Sequence, residues 1–228
     1  PPLFGSAKSV EPIISPNALR YAAVNGKTRF SEMLNRIISR IQACVDKVLS
    51  KDWELAMIFL EELRIWSLMD GNSDLEFDEV LPGAKVELWE GDRALYANPK
   101  VGTGLKKMDA VKVDEPNLFT PADVRVRGAG FVTPSNPNQK AIEAASTLFV
   151  AKRDGGKKST PVMLYQMKLR HSNKCKSRMK HWVDEVHDYA QDELELKKGE
   201  YYAVIYHAGK YGRQPHRKGT ILVGPETI

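Results

Sequence analysis

Apolar residues recur at intervals of three and four in the first third of this chain and give way, from about Ala84, to short β-prone runs. That change of period restricts the fold to a mixed one, with a helical first part and a strand-rich second part. From Arg29 to Leu49 the apolar set Phe30, Leu34, Ile37, Ile38, Ile41, Cys44, Val45 and Val48 marks one helix face. A second helix is expected from about Asp52 to Leu68, capped by Ser50 or Asp52 and ended by Asp70-Gly71-Asn72-Ser73. Its centre is almost continuously apolar, so it should be buried on most sides.

Beyond Ala84 the expected strands are Val86 to Trp89, Ala110 to Val113, Val124 to Val126 and Gly130 to Val132, separated by Gly, Pro and Asn. The turn PSNPNQ then introduces two stronger strands, Ile142 to Ala151 and Val162 to Leu169, joined as a hairpin by KRDGGKKSTP. A third helix is expected over about Ser177 to Leu194, with Met179, Trp182, Val183, Val186 and Tyr189 or Ala190 on one face. YYAVIYHA, residues 201 to 208, reads as a buried strand. The expected fold class is therefore α+β, a mixed sheet flanked by helices. Residues 1–28 form an N-terminal extension and residues 29–228 the domain, helical over 29–82 and strand-rich over 83–228.

Composition excludes several classes. At 228 residues the chain can bury a core without covalent staples, and its two cysteines, Cys44 and Cys175, suit free thiols in a reducing compartment. The longest apolar stretch, Leu55 to Leu60, falls far short of the ~18 residues that span a bilayer, so no membrane partner is expected. The opening PPLFGSAKSVEPIISP lacks the pattern of a signal peptide and reads as the start of a piece of a longer protein. The histidines do not form a zinc spacing, and no Walker-type phosphate loop is present. His181 with Asp184 and Glu185, and His187 with Asp188, are read as solvated residues on a polar helix face.

Charge is polarised. Between Ala151 and Lys180 stand ten basic residues against one acid, Asp154, a local +9 within a chain total of +5, which leaves −4 on the rest. Such a run concentrates potential where a phosphate backbone can lie. The candidate nucleic-acid contacts are Lys157, Lys158, Arg170, Lys174, Lys176, Arg178, Lys180 and, in GKYGRQPHRKG, Arg213 beside Tyr211. The plain alternative is a solvated loop and helix face. Chemistry concentrates at Glu143, in AIEAASTLFVAK, and at Gln166 and Lys168, two apart in PVMLYQMKLRH and so on one sheet face. A lysine within so apolar a strand calls for an anionic partner. The alternative is an edge strand with Lys168 in water.

At these residues the sequence resembles the PD-(D/E)XK nuclease superfamily, and more narrowly the nuclease-like domain of Crinkler effectors and retrotransposon hot spot proteins. The resemblance rests on Pro-Ser-Asn-Pro-Asn, then Ala-Ile-Glu-Ala, then Leu-Tyr-Gln-Met-Lys with His171 soon after, and covers about residues 124–210. It implies a restriction-endonuclease-like fold and Mg²⁺-dependent phosphodiester hydrolysis on DNA, in the nucleus. Glu143 and a helical acid, Glu54 with Glu61 as the alternative, would then be the metal ligands; Gln166 would offer its amide oxygen or orient a water, and Lys168 would act on the nucleophile or the phosphate. Two features depart from the family pattern. Glu143 stands where Asp is usual, and Gln166 where Glu is commoner, which removes a negative charge from the metal site. The resemblance therefore also leaves room for a nuclease fold that binds nucleic acid without cutting it. A third reading is a protein-interaction domain of a larger nuclear or effector protein, its basic patch meeting an acidic partner.

Overall fold

The computed structural model describes residues 75–98, 100, 141–168, 175–207, 209 and 211–224. It also describes Ile58, Glu61, Arg64, Ile65 and Leu68 and the backbone of 105–107 and 131–133. The helix expected over Arg29 to Leu49 and the strands expected at Ala110 to Val113 and Val124 to Val126 lie outside these residues. Ile58, Glu61, Arg64, Ile65 and Leu68 are all helical, in agreement with the second expected helix. Ile58 and Ile65, seven positions apart on one face, are fully buried.

In chain order the elements are a short helix α1 (Phe77–Val80), β1 (Lys85–Glu87), β2 (Asp92–Ala97), β3 (Leu105–Lys107), β4 (Phe131–Thr133) and β5 (Ala144–Ser146). There follow β6 (Phe149–Arg153), β7 (Lys158–Ser159), β8 (Val162–Lys168), helix α2 (Cys175–Asp188), β9 (Tyr201–His207) and β10 (Thr220–Val223). Seven strands form a mixed sheet in the order β1-β10-β9-β8-β5-β4-β3, and β2-β6-β7 form a separate three-stranded antiparallel sheet. The described residues combine helices with two sheets, a mixed content compatible with the expected α+β class. No helix among the described residues is long and apolar enough to cross a membrane.

β8 and β9 run parallel, joined through α2, and register pairs Val162 with Tyr201, Gln166 with Ile205 and Lys168 with His207. Because side chains alternate between faces, this register sorts the layers. Gln166, Lys168, Tyr201 and Thr220 face α2, where His187 meets the Tyr201 and Thr220 hydroxyls. Tyr202 and Tyr206 face the other way, toward Asp92 of the small sheet and Glu61 of the helical segment. All seven residues of β9 are buried, as its aromatic and β-branched content predicts for a strand covered on both faces.

Helix α2 buries Met179, Val183, Val186 and Ala190, the expected stripe, and finishes in one wider π-type turn over Tyr189–Glu193. One side chain corrects the reading of a solvated polar face: His187 is fully buried. Burial, reinforced by the Arg217 charge, pushes its pKa down to about 3, so the ring is neutral.

The expected hairpin is only half formed. Ala144, Ala145 and Ser146 pair with Tyr165, Leu164 and Met163, but the chain then leaves the large sheet. Asn98 holds the departure: its Nδ2 donates to the Thr147 carbonyl at 3.0 Å and its N–H to the Leu148 carbonyl at 2.7 Å. Phe149 to Arg153 then pair with β2, a strand absent from the sequence reading. β10, also unexpected, closes against β9 through Gly219. Its φ of +73 is in the left-handed region, and a Cβ there would overlap the Trp89 indole, so only glycine fits.

Candidate active site at the carboxyl end of β8

β8 is the fourth strand of seven, flanked by β9 and β5, which rules out the alternative of an edge strand with Lys168 in water. Lys168 instead has the anionic partner its setting demands. Its Nζ lies 3.5 Å from Glu143 Oε1, with side-chain exposures of 26% for the lysine and 18% for the glutamate. Glu143 immediately precedes β5, and its N–H donates to the Tyr165 carbonyl at 2.8 Å, which sets it across from Gln166. Its Oε2 accepts the Met167 backbone N–H at 2.8 Å. One carboxylate thus both extends the ladder beyond the first residue of β5 and pairs with the lysine.

Gln166 is fully buried between them. Its Nε2 donates to Glu185 Oε2 of α2 at 2.9 Å. Among the described residues its Oε1 has no hydrogen-bond partner. An acceptor sealed from water and left unpaired costs about 1–3 kcal/mol, which a cation or an ordered water at that oxygen would offset. The three strand positions chosen from the sequence therefore do come together on one face of the sheet.

Other candidates fall elsewhere. Glu54 lies outside the described residues. Glu61, the alternative helical acid, is not a solvent-side charge but 97% buried, and it is on the wrong side of the sheet. Arg64 donates to it through Nε at 2.8 Å and through Nη2 at 2.6 Å, and the Tyr206 hydroxyl donates to it as well. Tyr206 sits between Ile205 and His207 in β9, whose register partners are Gln166 and Lys168, so the sheet itself separates Glu61 from the Glu143 site. Burial and the Glu61 charge raise the Tyr206 hydroxyl well above its ordinary pKa. Glu61 is a structural anion with its oxygens committed to Arg64 and Tyr206.

Among the described residues the basic run is divided between two ends of the sheet. Lys157 and Lys158 are exposed on the β6–β7 turn, whose base is tied by Arg153 to Asp92 and to the Gly199 carbonyl beside the start of β9. That is the amino end of β8, whereas Lys168 is at its carboxyl end, about 20 Å away over six strand steps. Arg178 and Lys180 are exposed on α2, and Arg213 is exposed in the connection to β10. Arg170, Lys174 and the Lys176 side chain lie outside the described residues.

That connection is clamped to α2: Arg217 Nη1 lies 3.5 Å from Asp184 Oδ1 and 3.1 Å from Asp188 Oδ1, and His216 Nε2 lies 3.1 Å from Asp184 Oδ1. Partial burial works to raise the Asp184 pKa, but the His216 hydrogen bond and the Arg217 and Lys180 charges outweigh it and hold the carboxyl below its usual value.

Two site neighbours escaped the sequence reading. Glu185 belongs by sequence to a solvated face, although it stands three residues after Trp182 and four before Tyr189, at the border of the apolar stripe. His207, in register with Lys168, is 2% exposed, bonded through Nδ1 to the Gly209 carbonyl at 2.7 Å and set edge-on to Tyr211. Among the described residues no group of three His, Cys, Asp or Glu side chains converges as a metal cluster. A hard divalent cation bound chiefly through waters and a substrate phosphate needs only one or two protein oxygens, and the Glu143 carboxylate with the unpaired Gln166 carbonyl fits that requirement. No protein-family model matches the chain, and neither does any curated protein or solved structure.

Proposed function

We propose that the chain is a metal-dependent, restriction-endonuclease-like domain that hydrolyses phosphodiester bonds in DNA. The observation that carries this reading is the buried Gln166 carbonyl, without a hydrogen-bond partner among the described residues, beside the Glu143–Lys168 pair at the carboxyl end of a central strand. Glu143 and Gln166 Oε1 would hold Mg²⁺, which when bound supplies Lewis-acid polarisation of a phosphoryl oxygen. Lys168, aimed by its pairing with Glu143, would stabilise negative charge as it builds on the phosphate. Arg178 and Lys180, exposed on the helix that packs on this face, would neutralise a phosphate backbone entering the site.

One observation favours a second reading, a fold that binds DNA without cutting it. Glu143 already accepts from Met167 and pairs with Lys168, and an acid so engaged in holding the sheet is a weaker metal ligand. Cleavage of supercoiled plasmid with Mg²⁺ or Mn²⁺ against EDTA separates the two, with Lys168→Ala alongside. Metal-dependent nicking that falls by about 10²–10³-fold in the variant supports catalysis. Retardation of plasmid at low salt without nicking supports the binding reading, and neither nicking nor retardation sinks both.

A further inference from the structure

We propose that Glu185 is the positioning residue of this site, dictating which end of the Gln166 amide faces away from α2. The inference rests on the nuclease reading above and adds to it a residue on a different element. An amide can sit in its slot two ways, with oxygen and nitrogen exchanged, and packing alone barely distinguishes them. A carboxylate only accepts, so Glu185 Oε2 at 2.9 Å selects the orientation with Nε2 toward the helix and expels Oε1 from it. The exchanged orientation would bring Oε1 against Oε2, two acceptors with no proton between them.

The consequence is the buried carbonyl with no partner among the described residues. A glutamate at position 166 would need no such device, because both of its oxygens are equivalent ligands. A glutamine needs something to turn its single carbonyl the right way, and the bond to Glu185 does so across 19 residues of sequence. Outer partners of this kind orient a ligand and typically affect metal affinity by about 10–100-fold.

The test is Mn²⁺ affinity, read by water-proton relaxation, for the wild-type chain, Glu185→Gln and Glu185→Leu, with thermal unfolding as the control for folding. Glu185→Gln can still accept from Nε2 through its own carbonyl, whereas Glu185→Leu cannot. The expected result is a loss of at least about tenfold in Glu185→Leu, largely recovered in Glu185→Gln. In the wild type, the Gln166 side-chain NH₂ protons should exchange slowly with solvent by NMR, a readout that does not depend on either variant folding. Wild-type affinity in Glu185→Leu overturns the inference alone, as does an equal loss in both variants or fast exchange of the wild-type NH₂. No Mn²⁺ uptake by the wild type overturns the nuclease reading and the inference with it.

Discussion

Lowering the pH from 7.5 to 5 should destabilise this fold through His187 alone by about 2 kcal/mol. The ring is fully buried, its Nδ1 lies 2.7 Å from the Tyr201 hydroxyl and its Nε2 lies 2.9 Å from Thr220 Oγ1. Gln191 Nε2 also donates to the Tyr201 hydroxyl, at 2.7 Å, so that oxygen already receives one hydrogen bond. Burial first, and the Arg217 charge second, push the folded pKa down to about 3, against 6.5 for an ordinary histidine. Between those values the unfolded chain binds a proton that the folded one refuses, so the contribution is complete above about pH 6.5 and is lost as pH falls. Integrated over that window, the loss is about 2 kcal/mol at pH 5 and about 3 kcal/mol at pH 4.

The assay is urea unfolding at pH 7.5, 6 and 5 for the wild type and for His187→Gln, which cannot take up the proton. The variant starts lower, having lost hydrogen bonds, but its stability should fall less steeply, and the difference between the two curves isolates His187 from every other titrating group. Asp184 does not intrude. Its depressed carboxyl contributes stability above its ordinary pKa that is lost only as pH falls below about 4. Parallel curves for wild type and variant, or an NMR signal of the His187 ring that titrates near pH 6.5, would refute the reasoning.

Arg64→Leu leaves Glu61 buried without its cation and should cost about 3–5 kcal/mol in urea unfolding; a loss below about 1 kcal/mol would show that Tyr206 alone satisfies the carboxylate. Gly219→Ala meets both a left-handed backbone and the Trp89 indole, and is expected to lower stability by at least about 2 kcal/mol and to shift Trp89 fluorescence. For DNA binding, replacing Arg178 and Lys180 together by alanine should reduce the slope of log affinity against log salt by about 1–2 in fluorescence anisotropy. The same double change at Lys157 and Lys158, at the far end of β8, should reduce it less, and an equal reduction would contradict the placement of the site.

Wherever a residue's environment follows from its own neighbours in sequence, the structure agrees with the sequence reading. The α2 stripe Met179, Val183, Val186 and Ala190 and the buried run of β9 needed only local periodicity, and the placement of Gln166 and Lys168 on one face followed from the two-residue strand repeat. Lys168's need for an acid was legible as well, since an apolar strand does not carry an ammonium unaided. The errors share a different origin. β2 is polar at Asp92 and Arg93 and short of β-branched residues, so nothing local marks it as a strand; its partner is β6, more than fifty residues on. The break after Ser146 is imposed by Asn98, which no pattern within AIEAASTLFVAK records.

Burial of charge was the other property that sequence alone did not determine. Glu61 is a candidate metal ligand in sequence until Tyr206, 145 residues away, covers it on the other side of the sheet, and His187 a polar-face histidine until Thr220, 33 residues away, closes over its ring. Asp92 is likewise buried by the Tyr202 hydroxyl, 110 residues distant. Amino-acid order by itself determined that α2, β8 and β9 are a helix and two strands and which of their side chains share a face, because those are properties of backbone period. Only the tertiary structure decided which charges are buried, that Lys168 meets Glu143, and that Glu185 turns the Gln166 amide, because each depends on a partner brought close by tertiary packing rather than by the chain's own spacing.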